Sequence, residues 1–183
     1  MRAQSDSVAS RMVPISRVFA LSVNAPITHE LLVTIANTAH SRVPVHAAGD
    51  KSCIVGLLLV KSLLRIQISP ASPPLVGSLP LITPLIIDPS ATMLDALRTF
   101  RARREHMALI SDRVVETTAS LTAGMGTPPG IQGLITLEDC LLAVLNSTDP
   151  ISDGRDMARI VATASRQGVV SLAGSTSGSA RTL

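Results

Sequence analysis

Short apolar runs and amphipathic helical stripes alternate along this chain, and the alternation occurs twice. Residues 17–23 read as a strand with Val18, Leu21 and Val23 turned inward. Pro26 then leads into a helix over 28–39, with Thr28 as N-cap and Leu31, Leu32, Ile35, Ala36 and Ala39 on one stripe. Residues 42–46 form a short strand whose Pro44 belongs at an edge or an end, since proline cannot donate to a ladder. A turn at Ala48-Gly49-Asp50 leads to a buried strand over 54–59 and a short helix over 60–66.

Residues 69–80 are rich in proline and serine, have no periodicity and read as a linker. The pattern then returns: a strand over 81–87 restricted by Pro84, a helix over 91–103 with Met93, Leu94, Leu97 and Phe100 inward, and strands over 106–110 and 131–135. A helix follows from Thr136. One unit, strand-helix-strand-strand-helix, therefore occurs twice, with 42–45 in the place of 106–109 and 54–58 in the place of 131–135. A single unit would expose an apolar sheet face that its twin can cover. The expected fold is α/β (α+β), two repeated β-α-β-β-α units packed together. The boundaries are a disordered N-terminus over 1–11, a first unit over 12–68, the linker, a second unit over 81–146 and a flexible tail over 147–183. The second unit carries a long loop at 111–130, expected to be mobile.

Composition narrows this. With 183 residues the chain can bury a core. Its mean hydropathy of +0.40 raises the question of a membrane. The apolar residues are nevertheless scattered in runs far shorter than the roughly 20 a spanning helix needs. No signal peptide is read at the N-terminus, which has no apolar core segment. Aromatic residues are 1% of the chain, against a stacking platform for nucleic acid. The net charge of +3 is mild, and its arginines suit a solvated helix face and a basic tail. Cys53 and Cys140 sit in apolar runs and read as core thiols of a reducing compartment. The four histidines have no metal-ligand spacing, and no nucleophile has a sequence-placed base. No Walker loop or dinucleotide fingerprint is present. The chain is not expected to be an enzyme.

The chemically informative stretch is 130–145, where a buried strand ends in Ile135 and a helix begins after Thr136. Thr136 and Asp139 place two polar side chains at an open helix N-terminus, where unpaired N–H groups and the helix dipole favour an anion. The same pair fits a capping box equally well.

The two units, with the second closing on Gly133-Leu134-Ile135-Thr136-Leu137-Glu138-Asp139, resemble a tandem CBS-domain pair, a Bateman module. The resemblance is closer to the cyclin-M and CorC type magnesium transport proteins. It is carried by residues 12–15, 18–21, 41–45, 54–56, 60–61, 94–97 with Phe100, 106–109 and 133–139, in the family's order. It implies a regulatory module that binds an adenine nucleotide, ATP with magnesium, between the units and controls a membrane magnesium or divalent-cation transporter. In that reading Thr136 contacts phosphate and Asp139 accepts from ribose hydroxyls. Ser41, Arg42 and Pro44 line the cleft from the first unit, Arg42 offering charge to phosphate, while Val13 and Ile135 help wall the adenine. The resemblance also implies a homodimer, a membrane transport domain outside this chain and a place on the cytoplasmic face of the membrane. Val13 stands where the family has threonine. Leu59 and Ser62 stand where the first unit would repeat Thr136 and Asp139, so one nucleotide site is expected, not two. Residues 117–130 lack the acids through which animal cyclin-M proteins engage regenerating-liver phosphatases, so that partner is not expected. The alternative is a structural or dimerising module whose nucleotide site has degenerated.

Overall fold

Three helices begin where a threonine closes the first turn. In the computed structural model, which describes residues 7–146 apart from 68, 70 and 129, Thr28 precedes helix α2 (His29–Asn37) and accepts from Leu31 N–H at 3.2 Å. Thr92 does the same for α3 (Met93–Arg103), accepting from Asp95 N–H, and Thr136 stands before α5 (Leu137–Asn146). Each cap satisfies an N–H that the helix itself cannot. The expected tail over 147–183 lies outside the described residues.

Among the described residues the strands form two sheets. The first has β2 (Leu21–Ser22), β3 (Arg42–Ala47) and β4 (Asp50–Leu59) in that order. The second has β1 (Val13–Pro14), β7 (Gly133–Thr136), β6 (Met107–Ile110) and β5 (Leu85–Ile87). In both, two parallel strands are joined through a crossover helix, α2 or α3, and the next strand returns antiparallel. The repeat is therefore topological as well as sequential.

The units exchange their leading segments. Val13 pairs with Leu134 in the second unit, and Ile82, at the start of the second unit, bridges Leu57 in the first. Leu57 and Leu134 each follow a glycine, Gly56 and Gly133, and these glycines are needed for close approach. A Cβ on Gly56 would stand 2.8 Å from Leu81 Cβ, and one on Gly133 would stand 2.5 Å from the Val13 carbonyl. The exchange also explains residues 81–87: Pro84 separates a bridging segment from the true strand β5. The core reflects this interlocking. One cluster draws Val18 and Ile54 together with Ile86, Leu109, Leu121, Ile131 and Leu134, while another fills the first unit around Ile27, Ile35 and Val43.

Three expectations need correction. Residues 8–11, expected to be disordered, form a helical turn, α1 (Val8–Arg11). Val8 is fully buried and its N–H donates to the Ala91 carbonyl at 2.9 Å. The stretch 111–130, expected to be a mobile loop, contains α4 (Val114–Thr122), anchored by buried Thr117 and Leu121. Beyond it, Thr127 clamps onto the first unit. Its Oγ1 accepts from Ile54 N–H at 2.8 Å and donates to the Ser52 carbonyl at 3.2 Å. Finally, the correspondence between the units shifts by one residue. Ala39 (φ 54°) and Arg104 (φ 56°) both leave their helices in the left-handed conformation, and Val60 N–H and Leu137 N–H donate to the Ser41 and His106 carbonyls. Ser41 is thus the counterpart of His106, and Arg42 of Met107. The helix-to-strand connection is one residue longer in the first unit.

Candidate functional site

At the end of β7 the chain turns directly into α5, so Thr136 and Asp139 share one helical turn. The Thr136 N–H donates to Asp139 Oδ2 at 2.9 Å, and its hydroxyl donates to the same oxygen at 2.6 Å. Thr136 Oγ1 accepts in return from Asp139 N–H at 3.2 Å. All three bonds are part-buried, and Oδ1 takes no share in them. The capping box is fully made, and one carboxylate oxygen is left over as an acceptor.

The same Thr-x-x-Asp box recurs at Thr92–Asp95, where the hydroxyl donates to Asp95 Oδ2 at 2.7 Å. There the pair is exposed and Arg98 occupies Oδ1 at 3.2 Å. The spacing alone therefore does not mark a ligand site; burial and the unengaged oxygen distinguish the second box.

The other expected residues fall into two groups. Val13 lies on β1 opposite Leu134, beside Ile135, and is 40% exposed. Ile135 has no accessible side chain, and Pro44 is buried too, so neither presents a side-chain surface. Ser41 and Arg42 line a separate cavity of about 560 Å³ between the C-terminal end of α2 and the end of β4. Neither Thr136 nor Asp139 is among its lining residues. Arg42 faces Leu59 across the β3–β4 ladder, and its Nε is buried without a hydrogen-bond partner. Cys140, next to Asp139, is fully buried. Desolvation, and then the Asp139 charge, push its thiol up to about 12, so it stays protonated and poorly nucleophilic at neutral pH.

Two features escaped the sequence. Thr127 gave no local signal, because its partners lie far away along the chain. Helix α4 was signalled by the spacing of Val114, Thr117 and Leu121, but a threonine occupied the most buried position.

Two interlocked β-α-β-β-α units of this topology define a tandem CBS pair. No protein-family model matches the chain. Among curated proteins it is 30% identical over 145 residues to the magnesium and cobalt efflux protein CorC of Salmonella typhimurium, covering 79% of this chain and 44% of that protein. It is 34% identical over 99 residues to a putative DUF21 domain-containing protein of Arabidopsis thaliana, covering 54% of this chain and 19% of that protein. The chain thus spans less than half the length of these relatives. Among solved structures it superimposes on the CBS domain of a bacterial CNNM/CorC family Mg2+ transporter in complex with ATP. The TM-score is 0.57 at 25% identity, over 77% of this chain and 88% of that one. A domain from Neisseria meningitidis described as functionally unknown gives the same TM-score, 0.57, at 28% identity, over 75% and 77% of the two chains. The chain is a CBS-domain pair of the CNNM/CorC family.

Proposed function

We propose that this CBS pair is a regulatory, non-catalytic module that binds ATP, with magnesium carried on the phosphates, and controls a membrane transport protein for magnesium or another divalent cation. The observation that carries the reading is the part-buried Thr136–Asp139 box with Asp139 Oδ1 unengaged. A carboxylate oxygen accepts readily from a ribose diol, and the N-terminus of α5 favours phosphate. The solved relative with ATP supports the choice of nucleotide. Val13 borders this junction through β1. In this reading magnesium enters with the ligand, carried on the phosphate oxygens. No helix among those residues is long and apolar enough to cross a membrane. In this reading the module pairs with a second copy and works on the cytoplasmic face, beside a transport domain outside this chain.

The rival reading is a structural or dimerising module. It is favoured by the Thr92–Asp95 box, which shows that this chain uses the same motif simply to cap a helix. Thermal melting with and without Mg-ATP separates the two. At about 100 times its dissociation constant a ligand adds about 2.7 kcal/mol of stability. Asp139→Ala and Asp95→Ala should each lose about 1 kcal/mol as cap deletions. Only Asp139→Ala should also lose the nucleotide-dependent shift. If the wild type shows no shift at millimolar nucleotide, or Asp139→Ala keeps it, the nucleotide reading fails.

A further inference from the structure

The segments that complete the two units dock in the same way. Residues 75–82 close the first unit and residues 7–14 close the second. Val8 N–H donates to the Ala91 carbonyl at 2.9 Å, as Val76 N–H does to the Ala25 carbonyl at 2.9 Å. Ala9 N–H donates to the Pro89 carbonyl at 3.0 Å, and Gly77 N–H to the Val23 carbonyl at 2.8 Å. Ser7 bridges Thr92 and Leu75 bridges Pro26, both antiparallel. Ser10 Oγ donates to the Ser7 carbonyl and Ser78 Oγ to the Leu75 carbonyl, each at 2.7 Å. Val8 and Val76 are both fully buried. Further on, Val13 meets Leu134 and Ile82 meets Leu57. Both grooves thus accept one sequence pattern: a valine, a small residue and a serine in succession, then a β-branched residue.

The two segments differ in how firmly they are held. The linker is joined to a unit at each end, and its Leu79 and Leu81 add to the core of the first unit. In the leading segment Val8 alone is fully buried, and Ala9, Ser10, Arg11, Val13 and Pro14 are exposed. A four-residue helical turn and a two-residue ladder hold the rest. A segment with so few buried contacts opens locally without the whole fold opening. We propose that the second unit carries a peptide-binding groove, formed by the Pro89–Thr92 turn and the outer edge of β7. Residues 7–14 are its ligand in cis, a latch that releases and rebinds while both units stay folded. Recognition is of the added-strand kind, with backbone hydrogen bonds for affinity and the pocket for Val8 for specificity. The ligand class is an extended segment of the shared pattern. The groove is occupied without nucleotide, and none of these contacts uses Asp139.

Val8→Asp in the full chain sets an unpaired carboxylate in that pocket, so the latch should leave the groove. A fluorescent peptide of residues 7–16 should then bind the variant at least about tenfold more tightly than the wild type, where the cis segment competes at an effective concentration in the millimolar range. The same peptide carrying Val8→Asp should not bind. Amide hydrogen exchange reads the release directly. In the wild type the Ala9 and Met12 N–H groups should exchange at least about tenfold faster than those of Val76 and Gly77. Val8→Ala, which brings no charge, should speed Ala9 and Met12 further and leave Val76 and Gly77 unchanged; it is read in place of Val8→Asp if that chain does not fold. The proposal is overturned if the Ala9 and Met12 amides exchange only together with those of Val76 and Gly77, which would make the segment part of the core. It is also overturned if the peptide binds Val8→Asp no better than the wild type, or binds without its own valine. These readouts need no Mg-ATP, so they stand or fall apart from the nucleotide reading.

Discussion

Thr127→Val tests whether the insertion after β6 holds the two units together. Valine preserves the shape and replaces the hydroxyl with a methyl group. Ile54 N–H then loses its acceptor at 2.8 Å, and the Ser52 carbonyl loses its donor at 3.2 Å. Thr127 is 3% exposed and Ile54 fully buried, so water cannot easily take over at Ile54. A stranded buried donor costs about 1–3 kcal/mol. The Ser52 carbonyl is less buried and adds little. The bond from Thr127 N–H to the Ile54 carbonyl, at 2.8 Å, survives the change. The expected loss is about 2 kcal/mol. For a chain of this length each kcal/mol shifts Tm by roughly 2–4 °C, so the midpoint should fall by about 4–8 °C. Thr127→Ser is the control: it keeps the hydroxyl and gives up one methyl group, about 0.8 kcal/mol. Urea unfolding followed by circular dichroism measures both. If valine is tolerated as well as threonine, or serine is as damaging as valine, the hydroxyl does not carry the clamp.

Gly133→Ala places a methyl group against the Val13 carbonyl at 2.5 Å and Met12 Sδ at 3.0 Å, so β1 must move; denaturation should show a loss of about 1–3 kcal/mol. Wild-type levels of stability in that variant would mean that β1 is not held against β7. Cys140 has a thiol raised from 9.0 to about 12, by burial first and the Asp139 charge second. A raised native value means that its contribution to stability is complete below pH 9 and is lost as pH rises from about 9 toward 12. Cys140→Ala should therefore lose less stability than the wild type above pH 9. A disulfide reagent at pH 8 should modify Cys140 only on unfolding, and fast labelling of the native protein would contradict its burial.

Much of the fold was legible because the two units carry the same signals in the same order. Apolar stripes placed α2 and α3, and short buried runs placed β4 and β7. The register between the units was not legible. Aligning Pro44 with Ala108 looks natural by residue type, but the true offset is set by the left-handed helix exits at Ala39 and Arg104. Neither is glycine, the residue that normally announces that conformation. Helix α1 was missed because four residues with one large apolar side chain have no readable period. At the site, the spacing of Thr136 and Asp139 was legible, but its meaning was not. The Thr92–Asp95 box has the same spacing, and only burial and the occupancy of Oδ1 separate the two.

The two units differ in chemistry at the start of their second helices. In the second unit Asp139 can only accept, and it gathers both the N–H and the hydroxyl of Thr136. This caps the first turn of α5, a ten-residue helix in which Leu141 is buried. In the first unit the counterparts are Leu59 and Ser62. Leu59 has no side-chain acceptor, and the Ser62 hydroxyl donates backward to the Leu59 carbonyl at 2.6 Å. The first-turn N–H groups gain no cap, a loss typically worth about 1 kcal/mol. The chain forms a 3-10 turn that ends at Arg65, and Leu64 is 89% exposed. The first unit therefore has neither an acidic acceptor at the start of its second helix nor an α-helix there, but a six-residue 3-10 turn.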